Sequence, residues 1–201
     1  MAVNMNKVTL DKSRPSVSLT KRGEVQGNMR VNLNWTQGST GGFFKRNKGI
    51  DLDLAAMYEL ADGTKGIVQA LGNSFGDLNQ APFIFLDGDD RSGTNSGGEN
   101  LFINLGQVNA FRRILIFAYI YEGAPNWSAA NGLVTLVPTS GPQVEVALDS
   151  ADDRAISCAV AMLTNVNGEM QVSREVRYIQ GAQRAVDEAY GFGMRWTAGR
   201  K

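Results

Sequence analysis

The 201-residue sequence predicts an all-β fold, an antiparallel β-sandwich of two sheets with one or two short helices. Three observations lead there. From residue 15 onward, apolar residues fall in short alternating or continuous runs; Gly, Asn and Asp separate those runs at short intervals; and no strand–helix–strand alternation calls for a parallel sheet. In chain order the strand candidates are residues 16–19, 29–35, 50–60, 82–86, 101–105, 114–121, 133–137, 144–148, 155–165 and 170–178. Two of the connections have hairpin chemistry. Ala61-Asp62-Gly63-Thr64 and Asn165-Val166-Asn167-Gly168 carry Asp-Gly and Asn-Gly pairs, which tolerate the positive φ of tight turns. The second joins two long strands. A helix is predicted over 182–190, with Ala185, Val186 and Ala189 on one side, Arg184, Asp187 and Glu188 among the polar positions, and Gly191 as its stop. A shorter helical turn is expected around 106–111. No internal repeat is present. Residues 1–14 form an N-terminal arm and 15–201 one domain, inside which the Gly-rich, basic stretch 37–48 is expected to be an exposed loop carrying Phe43 and Phe44.

Composition bounds the chemistry. The chain has no His, which excludes an imidazole base, a Ser-His-Asp or Cys-His nucleophile and His-ligated zinc or haem. Its single Cys158 can form no internal disulfide, and its apolar surroundings mark it as a buried, inert thiol. No apolar run reaches the length of a membrane span, and the N-terminus lacks a signal-peptide core, so a cytoplasmic location is expected. Glycine motifs of the phosphate-binding kind are absent between a strand and a helix. Lys+Arg and Asp+Glu each number 20, yet they are segregated: residues 1–48 hold nine basic side chains against two acidic ones, and residues 49–100 reverse that ratio.

The acidic block contains two constellations. Asp51 and Asp53 stand two apart in an apolar run, so on a strand both carboxylates share one face while Ile50, Leu52 and Leu54 enter the core. Like charges held so close call for a cation, whereas a plain solvated face would carry fewer Asp residues. The second constellation is the loop 87–100, whose Asp87, Asp89, Asp90, Glu99 and Asn100 are oxygen donors, with Asn95 a sixth. Hard oxygen ligands on a flexible loop suit Ca²⁺ better than Mg²⁺. The spacing is not that of an EF-hand, because Arg91 and Gly98 occupy positions where that loop needs ligands.

Several ordered segments resemble the TerD-like tellurium-resistance and stress proteins, most of all their TerA-type members. They are Val17-Ser-Leu-Thr-Lys21, Val31-Asn-Leu-Asn-Trp35, Ile50-Asp-Leu-Asp-Leu54, Leu86-Asp-Gly-Asp-Asp-Arg-Ser-Gly93 with Gly97-Gly-Glu-Asn100, Ile116-Phe-Ala-Tyr-Ile-Tyr-Glu-Gly123 and Ala189-Tyr-Gly-Phe-Gly-Met-Arg-Trp196. The resemblance implies a two-sheet sandwich binding one or two Ca²⁺ ions in acidic loops at one end, and a bacterial or phage stress protein without catalytic activity, linked to tellurite, phage and toxin resistance. It places the family's Asp-Leu-Asp strand on Asp51 and Asp53, its loop start on Gly88, Asp89 and Asp90, and its strand-closing acidic residue on Glu122. The loop departs from the TerD-type pattern at Thr94, Asn95, Ser96, Gly97 and Gly98, and Thr36 follows Trp35 where those members have Asp. Fewer carboxylates lower the Ca²⁺ affinity to be expected.

The function expected is therefore a non-enzymatic, Ca²⁺-binding scaffold module in stress resistance, with Asp51, Asp53, Asp89 and Asp90 as principal ligands and Asp87, Glu99, Asn100 and Glu122 as further ones. The expected partners are other tellurium-resistance and stress proteins, with the inner membrane surface and a second copy of the chain as further contacts; neither nucleic acid nor a membrane span is expected. The alternative is an assembly protein with the same sandwich that has lost the ion and acts only through protein contacts, by its sheet edges, the Phe43-Phe44 loop and Trp196. Metal-assisted hydrolysis on the acidic cluster ranks third.

Overall fold

The computed structural model describes residues 7–9, 16–20, 26–36, 49–88 and 97–197; at 7–9 it describes the backbone alone. The basic stretch 37–48 with Phe43 and Phe44, and the loop start Asp89–Asp90, lie outside the described residues. The strands are β1 (Lys7–Thr9), β2 (Ser16–Ser18), β3 (Asn28–Asn34), β4 (Asp51–Leu60), β5 (Lys65–Val68), β6 (Gly76–Asp77), β7 (Ile84–Leu86), β8 (Glu99–Asn104), β9 (Phe111–Glu122), β10 (Gly132–Val137), β11 (Gln143–Leu148), β12 (Ala155–Val166) and β13 (Glu169–Gln180). Seven of them form one sheet in the order β1-β11-β10-β3-β8-β7-β6, and six form the other in the order β2-β13-β12-β9-β4-β5. Pairing is antiparallel except between β1 and β11. Both predicted hairpins close as the turn chemistry requires. Glu59 pairs with Lys65 across the first, and Val166 pairs with Glu169 across the second, where Asn167 and Gly168 take φ of 55° and 87°.

Alternation builds the inner layer. Met29, Val31 and Leu33 of β3 are buried while Arg30 and Asn34 are exposed, and they meet Leu52, Leu54 and Ala56 of β4 and Ile114 and Ile116 of β9 in the core between the sheets. Strands β4, β9 and β12 are buried on both faces over much of their length. The reason is a second apolar layer, in which Ala55, Met57, Leu115, Phe117 and Ala159 on the outer face of the six-stranded sheet pack under Val186 and Phe192.

That cover is helix α2 (Gln183–Tyr190) and the segment after it, α1 being the single turn Trp127–Ala130. Helix α2 ends as predicted, with Gly191 in the left-handed region at φ 63° and its N–H donated to the Asp187 carbonyl. Its polar face differs from expectation, because Asp187 is buried at 3% exposure. One Asp187 oxygen accepts Gly193 N–H at 2.6 Å, and the other accepts Met194 N–H at 2.9 Å and Trp196 Nε1–H at 2.6 Å. Arg113 secures the far end of the helix by donating to the carbonyls of Tyr190 and Gly191 at 2.9 and 3.1 Å. Its guanidinium lies 4.2 Å from the centre of the Phe192 ring. No helix among the described residues is long and apolar enough to cross a membrane.

The elements absent from the sequence reading are short. Strands β1, β5 and β6 have three, four and two residues and leave no periodicity to read. Helix α1 is a single turn, started by Asn126 Oδ1 accepting Ala129 N–H at 2.9 Å and anchored by Trp127, whose Nε1–H reaches the Ala155 carbonyl at 2.8 Å.

Candidate functional site

Four of the candidate ligands, Asp51, Asp53, Glu99 and Glu122, lie at the end of the sandwich where β4 begins. Alternation along β4 puts Asp51 and Asp53 on one face with Ala55 and Met57, while Leu52 and Leu54 enter the inter-sheet core, as the spacing predicts. The face is not solvated: Asp51 is 2% and Asp53 0% exposed. Asp51 pairs in register with Glu122 of β9, and Asp53 with Tyr119. Like charges directly opposite on neighbouring strands repel unless something compensates them.

Glu99 arrives from the other sheet. At the start of β8 it is 2% exposed, and its Oε2 accepts the Leu54 N–H at 2.7 Å. Strand β5 pairs with residues 56–59 of β4 and stops short of Leu54, so the carboxylate stands where a neighbouring strand would have placed a carbonyl. Two glycines make this junction close enough. Gly98 has φ 63° and a Cβ there would lie 2.1 Å from the Leu33 carbonyl oxygen; Gly123, after Glu122, has φ 82° and a Cβ there would lie 2.2 Å from that of Gly49.

Asp87 and Asn100 serve a different structure. Asp87 accepts from Asn100 N–H at 3.2 Å and Asn100 Nδ2 at 3.0 Å, and Asn100 Oδ1 accepts from Asn32 Nδ2 at 2.9 Å. Asn100 alternates with the buried Glu99 and Leu101, so this chain of amides lies on the outer side of the seven-stranded sheet. Asp89 and Asp90 belong to 89–96, outside the described residues. Among the described residues no group of three His, Cys, Asp or Glu is placed to hold a metal ion.

A set of polar residues that spacing did not single out lies against Asp53. Register aligns Ser157 of β12, Tyr119 of β9 and Asp53 of β4 in one row across the sheet. Ser157 Oγ donates to the Gly181 carbonyl at 2.8 Å. Burial pushes the Tyr119 phenol far up, with the charge of Asp53 adding to the effect and that of Glu99 adding further. Its hydroxyl lies beside Asp53 and the Gln183 amide without forming a hydrogen bond of good geometry to either. Gln183 in turn donates from Nε2 to Gln69 Oε1 at 3.1 Å, both side chains being 8% exposed. Only strand register and the docking of α2 bring these residues together; a polar residue inside each apolar run was the signal available.

At the opposite end of β4, Glu59 is clasped by Arg113 at 2.8 Å and Arg112 at 3.2 Å. Burial alone would raise its pKa. The Arg113 hydrogen bond and the charges of Arg113, Lys65 and Arg112 outweigh that and hold it below the ordinary value. Cys158, fully buried, has its thiol pushed well up by burial and can act as no nucleophile.

No family model matches the chain. It is 44% identical to a tellurium resistance protein TerA of Alcaligenes sp. over 204 aligned residues, which take in 99% of the chain. The chain spans 60% of the length of that curated relative. Among solved structures it is similar to a homologue of the telluride resistance protein TerD from Streptomyces coelicolor A3(2), with a TM-score of 0.56 and 19% identity, covering 79% of this chain and 94% of that one. A crystallised protein of unknown function gives a TM-score of 0.57 at 16% identity, covering 86% of this chain and 100% of that one. At these identities the solved structures speak for the shared sandwich alone.

Proposed function

As the chain belongs to the TerA/TerD-like tellurium-resistance proteins, we propose that it is a non-catalytic Ca²⁺-binding module whose acidic end holds the ion between β4 and the segment that follows Asp87. The observation that carries this reading is the burial of Asp51, Asp53 and Glu99 at one end of the sandwich, with Glu122 in register opposite Asp51. Concentrating carboxylates away from water is costly, and a divalent cation offsets both their desolvation and their mutual repulsion. The donor set fits such an ion, since every candidate ligand is a carboxylate or amide oxygen and the chain has no His. Asp51 and Asp53 are the ligands supplied by the rigid strand, and Asp89 and Asp90 those supplied by the loop. Glu99 fastens the loop's far end to β4 through Leu54 N–H. Asp87, whose oxygens both engage Asn100, holds the near end. Ca²⁺ bound there would join loop to strand, and so couple the ion to stability and to the presentation of that end to a partner.

Titration calorimetry with Ca²⁺ on the wild type, Asp51→Asn/Asp53→Asn and Asp89→Ala/Asp90→Ala tests this. The wild type is expected to give saturable heat and a melting temperature that EDTA lowers, and both double variants to lose the heat. Equal heats from all three proteins, or a wild-type melt indifferent to Ca²⁺ and EDTA, would overturn the proposal in favour of an assembly module that works without the ion.

A further inference from the structure

We propose that the cavity between β5 and the C-terminal segment is a binding site for a small organic anion, a planar ring bearing a carboxylate or a phosphate. The cavity has a volume of about 610 Å³, within the range of small-molecule sites. Among the described residues its charged lining consists of Lys65 and Arg195, with no Asp or Glu. Lys65 Nζ donates one N–H to the Phe192 carbonyl at 2.8 Å, which fixes the ammonium group and leaves its other N–H groups for a ligand. Glu59, opposite Lys65 in register, is also held by the guanidinium groups of Arg112 and Arg113, so three cations share its single negative charge. Arg195 is exposed and forms no ion pair with a described residue.

The floor adds neutral donors. Gln69 and Gln183 are both buried, and because Gln183 Nε2 is donated to Gln69 Oε1, the amide nitrogen of Gln69 keeps its two N–H groups. Gln183 is also the first residue of α2, whose N-cap Ala182 offers no side-chain acceptor to the helix N–H groups. Trp196, half-buried, also lines the cavity, its indole held in place by the 2.6 Å bond to Asp187. A fixed indole in the lining suits a planar ring, and the cations Lys65 and Arg195 suit its anionic group. The neighbouring cavity of about 450 Å³ shares Gly193, Met194, Arg195 and Trp196 but adds Asp187 and Glu188 alongside Arg184, so its lining is of mixed sign where that of the larger one is cationic. This inference stands whether or not the acidic end binds Ca²⁺.

Tryptophan fluorescence tests it, because Trp35 and Trp127 are buried at 7% and 0% exposure and a ligand in this cavity touches Trp196. Phenyl phosphate and benzoate are expected to quench emission saturably, and comparing the two tells which oxyanion is preferred; benzylamine, the same ring with a positive charge, is expected not to quench. Lys65→Met and Arg195→Met are each expected to weaken binding about tenfold or more, while Arg154→Met, exposed and paired with Asp152 elsewhere, leaves it unchanged. Should Lys65→Met fold poorly, Arg195→Met carries the test, since its side chain is engaged by no described residue. Absence of saturation, equal quenching by benzylamine, or wild-type affinity in Arg195→Met would overturn the proposal.

Discussion

Replacing Asp187 by Asn should release the C-terminal segment without unfolding the sandwich. The wild-type carboxylate is 3% exposed and accepts three N–H bonds, two of them on one oxygen. The amide of Asn presents a single acceptor. If its carbonyl takes the place of the oxygen serving Met194 and Trp196, its NH₂ faces the Gly193 N–H, donor against donor; the reverse orientation loses two bonds. Hydrogen bonds to a charged acceptor each contribute about 1.5–3 kcal/mol, so losing one and burying an unsatisfied donor costs about 3 kcal/mol. The cost is capped by the free energy that docks residues 193–197, because beyond that the segment detaches and its donors find water. Phe192, buried at 1% and covered by Arg113, stays in place and marks where the release stops. Hydrogen exchange reads this directly: the Gly193 and Met194 amides should exchange roughly a hundredfold faster, Trp196 emission should shift to the red, and amides at the centre of β9 and β12 should keep their protection. Unchanged exchange at 193 and 194 would refute the role given to the carboxylate. Equal acceleration in the central strands would refute the claim that its effect is local.

Glu59→Gln should alter the pH dependence of stability. A carboxyl held below its ordinary value of 4.5 stabilises the fold above that value and loses the contribution as pH falls through the lowered one. The wild-type melting temperature should therefore carry an acid-side decline that the Gln variant lacks, and superimposable profiles would show that the Arg112 and Arg113 contacts contribute nothing. Tyr119→Phe should be neutral or stabilise by up to about 1 kcal/mol in urea denaturation, since it removes a buried hydroxyl that forms no hydrogen bond of good geometry; a loss larger than that would mean the hydroxyl is bonded to Asp53 or Gln183.

What could be read from the sequence was local or periodic. Hairpin turns were legible at Asp62-Gly63 and Asn167-Gly168 because positive φ is a property of the residues themselves. The long strands could be read because a sheet face buries every second side chain, and the end of α2 because Gly191 accepts a left-handed backbone. The shared face of Asp51 and Asp53 followed from their spacing alone. The short strands β1, β5 and β6 were not legible, as two to four residues make no pattern.

Burial of the acidic pair was not legible either. A polar residue on a strand looks the same whether its face meets water or a second layer, and here the layer comes from α2, some 130 positions away in the chain. The same distance hides the anion-selective cavity, whose Lys65, Gln69, Gln183 and Trp196 share no motif and meet only because Asp187 draws the C-terminal segment back across the sheet. By itself, then, the sequence determined the two-sheet sandwich, its long strands and hairpins, the terminal helix and an oxygen-only set of candidate ligands. The tertiary structure decided which of those ligands are buried, which hold a loop to a strand, and where a ligand cavity forms, because burial and long-range proximity depend on what packs over a face and local sequence carries no record of that.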